Sequence, residues 1–404
     1  MEKPAFKVYG YRWTVLAVFM LVTAFNQLLW ITFAAITSQA GAYYGVSDLS
    51  IGILSLSFMA AYLVVSIPAS WMIDTLGFRA AVALGAGLTG LFGLMRGLVG
   101  SNYTLVLIAQ IGIAIGQPFI LNAVTKVAAR WFPLDERATA AGFGSLASYV
   151  GILTGLVVTP LIVQSAGLAP MLLAYGVGAL VAAAAFLALA RELPDTPPGP
   201  ADQEERALML DGLKKVLRQR DFLLLMLIFF IGLGVFNAVT TWIEDIIRPR
   251  GFSSTQAGLA GGLMIAGGVV GALILPTFSD RMRRRVPFIV LALLGSVPGL
   301  AGIAFATSPW LLMLSAAVLG FFLLSSGPIG FQYGAEVGRP TPEGTSNGLL
   351  LLAGQVSGIA FILGMDSFRD PSGAMTPSLL VLIGLMVVSL LVATQLHESK
   401  LLAK

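Results

Sequence analysis

Long apolar runs separated by short polar breaks make up most of the chain. A membrane-spanning helix needs about 20 mostly apolar residues, and its backbone polar groups must be hydrogen-bonded within the helix. The breaks contain Gly, Pro, Asn and Asp, which are typical of turns. The pattern therefore predicts an all-α membrane protein with twelve transmembrane helices. They lie near residues 13–38, 49–73, 78–99, 103–129, 138–164, 168–190, 222–247, 254–278, 286–306, 309–334, 344–366 and 376–396.

One polar segment, residues 191–221, is much longer than the other breaks. Its first half is rich in proline and charge, and its second half is predicted to form a short amphipathic helix on the membrane surface. The segment separates six spans from six spans. We therefore predict an N-terminal six-helix bundle (1–190), a cytoplasmic linker (191–221) and a C-terminal six-helix bundle (222–404).

Lysine and arginine are concentrated at the N-terminus, in the turns after the second, fourth and eighth spans, and in the linker. These segments alternate onto one face, which the positive-inside rule assigns to the cytoplasm. Both termini are therefore predicted to be cytoplasmic. Arg248 and Arg250, after the seventh span, are exceptions on the outer side.

Composition narrows the class of protein further. Only 11% of the residues are charged, whereas a soluble domain carries about 25%. The formal net charge of +4 gives no reason to expect a nucleic-acid partner. The chain has no cysteine, its one histidine is His397 after the last span, and it has no phosphate-cradling loop. The sequence predicts no cofactor, no metal site and no enzymatic activity.

The stretch "WMIDTLGFRA" (71–80) has a partner in the second half of the chain. Asp74 and Asp280 are 206 residues apart, and Gly142 and Gly348 have the same separation. Both pairs lie at equivalent turns of the two six-span halves, which indicates a duplication. Internal repeats of this kind are typical of secondary transporters.

These turns are predicted to act as a conformational latch. Asp74 ends the second span, Gly77 allows a tight turn and Arg79 begins the third span. The carboxylate is expected to pair with Arg79, or with Arg130 and Arg137 at the end of the fourth span, or to lie at a helix N-terminus, where negative charge is favoured. The alternative is a solvated turn that only follows the positive-inside rule. The predicted latch residues are Asp74, Gly77, Arg79, Arg130, Arg137, Asp280 and Arg281.

The pattern D-x-x-G-x-R after the second span resembles the signature of the major facilitator superfamily. The stretch "RWFPLDERATAAG" (130–142) is similar to the turn that this superfamily has between its fourth and fifth spans. The resemblance covers the whole chain. It implies two pseudo-symmetric six-helix bundles, a substrate cavity at mid-membrane and alternating access by a rocking motion.

Several stretches are similar to one branch of that superfamily, the feline leukaemia virus subgroup C receptor-related transporters. They include "NQLLWITFAAITSQAGAYYGVS" (26–47), "IAIGQPFIL" (113–121) and "EGTSNGLLLLAGQVSGI" (343–359). The resemblance implies choline or ethanolamine transport through a pocket of Trp, Gln, Tyr and Gln side chains. The matching positions here are Trp30, Gln117, Asn237 and Gln355. Asn237 stands where that branch has Tyr, so the aromatic box is incomplete.

The same residues also suggest a polar cavity when considered on their own. Asn26 lies one turn from Trp30 on a shared helix face, and a Trp face attracts cations with about 2 kcal/mol when desolvated. Gln117 precedes Pro118, which frees a backbone carbonyl one turn earlier. Helix packing for Trp30 and an interhelical hydrogen bond for Gln117 are the alternatives.

Three acidic residues near span ends each leave two interpretations open. Glu244 and Asp366 are placed to draw cations to the outer mouth, or they are ordinary charges in local salt bridges, as Asp245 and Arg248 suggest. Glu336 pairs with the basic turns, or it couples transport to protons, since acids inside the membrane are often functional.

The sequence predicts a monomeric secondary active or facilitative transporter of a small organic solute, with a choline-like or ethanolamine-like cation as the first hypothesis. The alternative is a proton-coupled organic-anion transporter, with Arg96 or Lys126 as the counter-ion and Glu336 as the proton carrier. A non-transporting receptor is disfavoured because the chain has no sizeable soluble domain. Short loops favour a bacterial inner membrane.

Overall fold

The computed structural model describes residues 6–198, 216–339 and 343–399, and the regular secondary structure in these ranges is helical. The described residues form twelve helical spans that are long and apolar enough to cross a membrane, with Tyr103–Trp131 counted as one span, which confirms the predicted number. The predicted surface helix in the linker falls mainly on 199–215, outside the described residues. The α-helices are α1 (Arg12–Ile31), α2 (Thr37–Tyr44), α3 (Asp48–Thr75), α4 (Phe78–Leu98), α5 (Tyr103–Leu121), α6 (Val124–Trp131), α7 (Arg137–Ala166), α8 (Leu168–Leu189), α9 (Arg220–Thr241), α10 (Ile243–Ile247), α11 (Ser254–Met282), α12 (Val286–Phe305), α13 (Pro309–Val337), α14 (Glu343–Ser367) and α15 (Thr376–Ala393).

Several spanning helices begin at polar capping residues, and apolar side chains are exposed along the spans. Ser47, Asn102 and Ser308 each accept a hydrogen bond from the backbone N–H three residues later, at the starts of α3, α5 and α13. Farther along, Val64 and Leu273 are 75% and 69% exposed. Such exposure is expected of helices that face lipid, because lipid tails are as apolar as these side chains.

Three predicted spans are interrupted where the sequence suggested continuous helices. The first span ends with α1 at Ile31 and resumes as α2 at Thr37. The fourth is divided between α5 and α6, and the seventh between α9 and α10. Hydropathy does not mark these breaks because the apolar run continues through each of them. In the first span, tertiary contacts described below occupy the carbonyl groups at the end of the helix.

The chain forms two compact units. Unit 1 comprises Met1–Phe33 and Gln39–Glu204, and unit 2 comprises Ala34–Ser38 and Glu205–Lys404. In unit 1, α1 packs on α7 and α4 packs on α5 and α8; in unit 2, α9 packs on α14 and α13 packs on α11 and α12.

Glycines let backbones approach closely inside each unit. A Cβ atom added to Gly151 would lie 2.1 Å from the carbonyl oxygen of Ala24, and one on Gly320 would lie 1.7 Å from that of Met264. Neither position has room for any other residue. Small residues at helix contacts are the usual means of close packing in membranes.

Candidate functional site

Trp30 lies in the last turn of α1, next to the break in the first span. Its side chain is 6% exposed, and its indole N–H donates to the backbone carbonyl of Ser55 on α3 at 3.2 Å. This bond fixes the position of the ring within unit 1. The indole therefore has its polar group satisfied, and any further interaction uses its π face.

Asn26, predicted to share a cavity face with Trp30, is fully buried. Its amide nitrogen donates to the hydroxyl of Thr89 on α4 at 3.0 Å, and its amide oxygen accepts from Gln27 at 3.2 Å. Trp30 is hydrogen-bonded to α3 and Asn26 to α4. These contacts give Asn26 a packing role inside unit 1 and leave Trp30 as the cavity candidate of the pair.

Gln117 lies in the final turns of α5, close to the break in the fourth span. It is 7% exposed, and its side-chain amide makes no hydrogen bond to any described residue. Its amide nitrogen and oxygen are not fully buried, so they can be hydrated or contact a ligand without a protein partner. The interhelical hydrogen bond expected for packing is therefore not formed within the described ranges.

Gln110, two turns earlier on α5, has the opposite character. Its amide oxygen accepts from Arg96 at 2.8 Å, and its amide nitrogen donates to the carbonyl of Leu29 at 3.3 Å. Both partners are buried, and Gln110 itself is fully buried. Gln110 is thus a structural residue.

Arg96 forms hydrogen bonds at the C-terminal end of α1. Its guanidinium donates to the Leu29 carbonyl at 3.0 Å and to the Thr32 hydroxyl at 3.3 Å, and it stacks over the ring of Phe33 at 5.2 Å. The last carbonyls of a helix have no partner within the helix, and a cation there also complements the helix dipole. The side chain is 1% exposed. Arg96 and Gln110 thus provide the physical reason for the break in the first span.

A polar ladder, which the sequence analysis did not identify, joins α3 to the break in the fourth span. Asn122, the residue after α5, accepts from the Tyr62 hydroxyl at 2.8 Å. Its amide nitrogen donates to the hydroxyls of Ser66 and Ser70, each at 3.1 Å. The sequence does contain a pattern that indicates this ladder, namely the four-residue spacing of the polar residues Tyr62, Ser66, Ser70 and Asp74 within an otherwise apolar span.

In unit 2, Asn237 and Gln355 lie on neighbouring helices. Asn237 is 8% exposed in the last turn of α9, and its amide nitrogen lies 3.5 Å from the carbonyl oxygen of Gly354 on α14. Gln355 is the next residue along the chain. Its partly exposed side chain makes no hydrogen bond to any residue that the structure describes.

The two outer acids are both engaged in contacts. Glu244 is 2% exposed and accepts from the backbone N–H of Ser38 at 2.9 Å and from the Ser38 hydroxyl. Asp366 pairs with Arg369 at 2.8 Å. These bonds favour the interpretation as local structural charges over cation attraction.

Arg369 is the centre of the outer charge cluster of unit 2. It lies 3.4 Å from the fully buried carboxylate of Asp245, which also pairs with Arg248 at 3.1 Å. Its guanidinium stacks over Trp242 at 5.1 Å. The local salt bridge expected between Asp245 and Arg248 is therefore present.

The predicted latch turn of unit 1 contains a residue that the sequence analysis missed. Glu192 accepts from the backbone N–H groups of Phe78 and Arg79, at 3.2 and 2.7 Å, and so caps the N-terminus of α4. Gly77 has a φ of +90°, and a Cβ atom there would lie 2.5 Å from the Glu192 carboxylate. Gly77 thus provides both the turn and the space for the cap.

Asp74 pairs with Lys126 at 3.3 Å. The guanidinium of Arg79 donates to the carbonyl of Leu187 at 3.4 Å, and that of Arg137 to the carbonyl of Phe132 at 3.1 Å.

The equivalent turn of unit 2 has the same cap. Glu398 accepts from the backbone N–H groups of Arg285 and Val286, each at 3.1 Å, at the start of α12. Glu192 and Glu398 are 206 residues apart, so extending the repeat to these positions would have identified both.

Glu336 belongs to a buried charge network in unit 2. Arg285 pairs with Glu336 at 3.1 Å and with Asp280, and both Arg285 and Glu336 have side chains less than 10% exposed. Burial alone lowers the pKa of Arg285, but bonds to the two carboxylates outweigh it and raise that pKa above its usual value. Glu336 thus pairs with the basic turn through Arg285. Arg281 is exposed.

Within the described ranges, no group of three or more His, Asp or Glu side chains is arranged to hold a metal ion.

Comparisons with known proteins identify the family. The model described as Major Facilitator Superfamily matches residues 15–362. Solute carrier family 49 member A3 of Danio rerio is 32% identical over 386 residues, covering 92% of this chain and 81% of that protein. The Danio rerio protein named choline/ethanolamine transporter flvcr2a is 28% identical, covering 96% of this chain and 87% of that protein. The solved structure of a bacterial homologue of the human lysosomal transporter Spinster has a TM-score of 0.77 at 15% identity, covering 96% and 98%.

The family match spans most of the chain, and the likeness to the solved transporter confirms the fold that the twelve spans predicted. The protein is a multi-pass membrane protein whose relatives are transporters, so it is a transport protein and not an enzyme. The chain belongs to the Major Facilitator Superfamily.

Proposed function

We propose that this transporter carries a choline-like or ethanolamine-like cation across a cell membrane. One observation carries the proposal: Trp30, Gln117 and Asn237 each lie in the final turns of a helix that ends inside a predicted span. Transporters of known structure commonly bind their substrates at such interrupted helices. The relative named as a choline/ethanolamine transporter supports the same substrate class.

The chemistry of Trp30 and Gln117 suits a small organic cation. The cation would lose part of its hydration shell, and the indole face together with the Gln117 amide oxygen would replace it. The Trp30 indole N–H is already bonded to Ser55, so the ring needs no further polar partner. Gln117 lacks a described partner, which leaves its amide available to a ligand. Asn237 and Gln355 stay predicted substrate contacts.

The proposed mechanism is facilitated diffusion by alternating access, driven by the substrate gradient and the membrane potential. A potential of 100 mV contributes about 2.3 kcal/mol for each elementary charge moved across the membrane. Neither Trp30 nor Gln117 is hydrogen-bonded to a carboxylate within the described ranges, so binding at these residues requires no proton transfer. We propose that a monomer performs this cycle. The short loops that favoured a bacterial inner membrane support that location as a further proposal.

The organic-anion alternative receives less support from the contacts of its three residues. Arg96 is bonded to the end of α1, Lys126 to Asp74, and Glu336 to Arg285. Each charge already has a structural partner. An anion would have to displace these contacts before it could bind.

The test is uptake of labelled choline and ethanolamine into proteoliposomes, with and without an inside-negative potential and without a pH gradient. Trp30→Ala is expected to weaken uptake about 30-fold, because a desolvated cation–π contact contributes about 2 kcal/mol. Trp310→Ala is the matched control, because Trp310 is 75% exposed at the start of α13. Gln117→Leu is expected to reduce uptake without lowering thermal stability.

The proposal fails if wild-type protein takes up neither compound, or if Trp30→Ala transports both as well as Trp310→Ala does. Uptake of carboxylates that depends on a pH gradient and is lost in Arg96→Gln would instead support the organic-anion alternative.

A further inference from the structure

The inner half of unit 1 contains a polar face inside a spanning helix. Tyr62, Ser66, Ser70 and Asp74 follow one another at four-residue intervals on α3, so each lies about one turn from the next and neighbouring members share a face. Ser66 and Ser70 are partly exposed although they belong to a span. Polar side chains on a spanning helix usually face the protein interior or a water-filled cavity rather than lipid.

Asn122 faces this row from the break between α5 and α6. Its amide nitrogen uses both serine hydroxyls as acceptors, and its amide oxygen accepts only from Tyr62 among the described residues. An amide oxygen has two lone pairs, and so does each hydroxyl oxygen. The cluster therefore keeps acceptor capacity that its internal hydrogen bonds do not use.

The cluster lies beyond the reach of a molecule bound at Trp30. Trp30 is bonded to Ser55, and Tyr62 lies seven residues farther along α3, which corresponds to about 10 Å of helix. Ser66 and Ser70 lie one and two turns beyond Tyr62, toward the pair of Asp74 and Lys126. An amino alcohol of the size of choline cannot contact Trp30 and these serines at once.

We propose that Ser66, Ser70 and Asn122 form a second substrate contact in unit 1, between Trp30 and the Asp74 end, that prefers primary ammonium groups to quaternary ones. This inference rests on the proposed transport of amino alcohols. A primary ammonium has three N–H donors for the hydroxyl and amide oxygens, whereas a quaternary ammonium has none. Trp30 attracts both kinds of cation through its ring, so discrimination arises at the second contact.

The break in the fourth span supports a role in binding substrate. Asn122 follows the last residue of α5, and α6 begins at Val124. Pro118, four residues before Asn122, lies inside α5 and removes one backbone donor from its final turns. Irregular backbone within a membrane is tolerated where it is buried in protein or lines a cavity. A residue held at such a break by three side chains of α3 is well placed to contact solute.

The test is the ratio of ethanolamine to choline uptake, each measured as kcat/KM in proteoliposomes. The double variant Ser66→Ala/Ser70→Ala is expected to lower ethanolamine uptake about tenfold and to change choline uptake less than twofold, because hydrogen bonds to a charged group are lost only for the primary ammonium. Ser57→Ala is the control: Ser57 lies on the same helix but is bonded within it, to the carbonyl of Leu54. It is expected to leave the ratio unchanged.

Tyr62→Phe separates a substrate contact from a purely structural network. It removes the hydroxyl bonded to Asn122 and frees a lone pair of the amide oxygen, so the ratio is expected to stay the same or rise. If Tyr62→Phe lowers the ratio as much as the serine double variant does, the network is structural and the second contact is refuted.

An unchanged ratio in the serine double variant also refutes the second contact, while the proposed function stands as long as uptake depends on Trp30. Absence of uptake of both compounds by wild-type protein refutes the proposed function and this inference together.

Discussion

The predicted latch turns of the two units have the same backbone cap but different charges around it. Glu192 caps α4 and Glu398 caps α12, in each case through backbone N–H groups that include an arginine, Arg79 or Arg285. Arg79 and Arg285 are also 206 residues apart. The Arg79 side chain is exposed, whereas that of Arg285 is buried between Asp280 and Glu336.

One pair of equivalent positions carries opposite charges in the two units. Glu336 provides the buried negative charge in unit 2, and the position 206 residues earlier is Arg130. The position that supplies a buried carboxylate in unit 2 is thus basic in unit 1, and a buried charge needs a partner of opposite sign. The repeat therefore conserves the backbone geometry of the turn, while the charge network belongs to one unit alone.

Removing the buried arginine is expected to have the largest effect. Arg285→Leu leaves two carboxylates without their cation, one of them buried, and loss of one partner of a buried pair costs about 3–5 kcal/mol. Denaturant titration in detergent measures this loss as a change in the free energy of unfolding. Arg281→Leu, at an exposed position of the same turn, is the control and should change it by less than about 0.5 kcal/mol. Equal losses in the two variants would show that the network does not stabilise unit 2.

Gly77→Ala is expected to have the next largest effect and to lower the free energy of unfolding by about 2 kcal/mol. The residue has a positive φ, which costs a residue with a Cβ atom about 1–2 kcal/mol, and the new atom would meet the Glu192 carboxylate. Thermal unfolding of the single variants and of Gly77→Ala/Glu192→Ala forms a double-mutant cycle. Strict additivity would contradict the contact, because removing Glu192 should relieve part of the strain.

Each of the two caps is expected to contribute less than this to the free energy of unfolding, and the two contributions are expected to be equal. Glu192→Ala and Glu398→Ala should each cost about 1 kcal/mol, the usual value for a lost N-terminal cap. Their unfolding midpoints should fall by similar amounts. A much larger loss for Glu398 would mean that the unit 2 cap acts through the Arg285 network as well as through the backbone.

The smallest effect is expected at Asp74 in the predicted latch turn of unit 1. Asp74→Asn breaks a pair with Lys126 in which the aspartate side chain is 51% exposed, and exposed pairs contribute about 0–1 kcal/mol. The unfolding midpoint should fall slightly, and less at high salt than at low salt. A loss as large as that of Arg285→Leu would show that the two networks are equivalent after all.

The number of spans and their approximate positions could be predicted because the bilayer imposes a length and requires helical backbone. The breaks could not, because the apolar pattern continues through Thr32 and Asn122. The end of α1 depends on Arg96 and Gln110, which are distant in sequence from Leu29. Hydropathy contains no information about such contacts.

The site was predictable in part. The resemblance selected Trp30 and Gln117, and the structure adds that both lie next to helix breaks, while their contact with substrate stays a prediction. The spacing of Asn26 and Trp30 predicted that they share a helix face. It did not predict the bond of Asn26 to Thr89, because periodicity does not specify which helix packs on that face. Glu192 and Glu398 could have been predicted from the sequence, because they are separated by the same 206 residues as the other repeated positions.

The cap on α4 also bears on the order in which the chain matures during synthesis. Glu192 and its partners Phe78 and Arg79 are all translated before any residue of α9. The cap on α4 can therefore form while the second half of the protein is still being translated. The end of the first span is different, because Ser38 must wait for Glu244 to be translated. This segment is therefore expected to reach its final contacts only after the seventh span has been made, although it is translated well before that span.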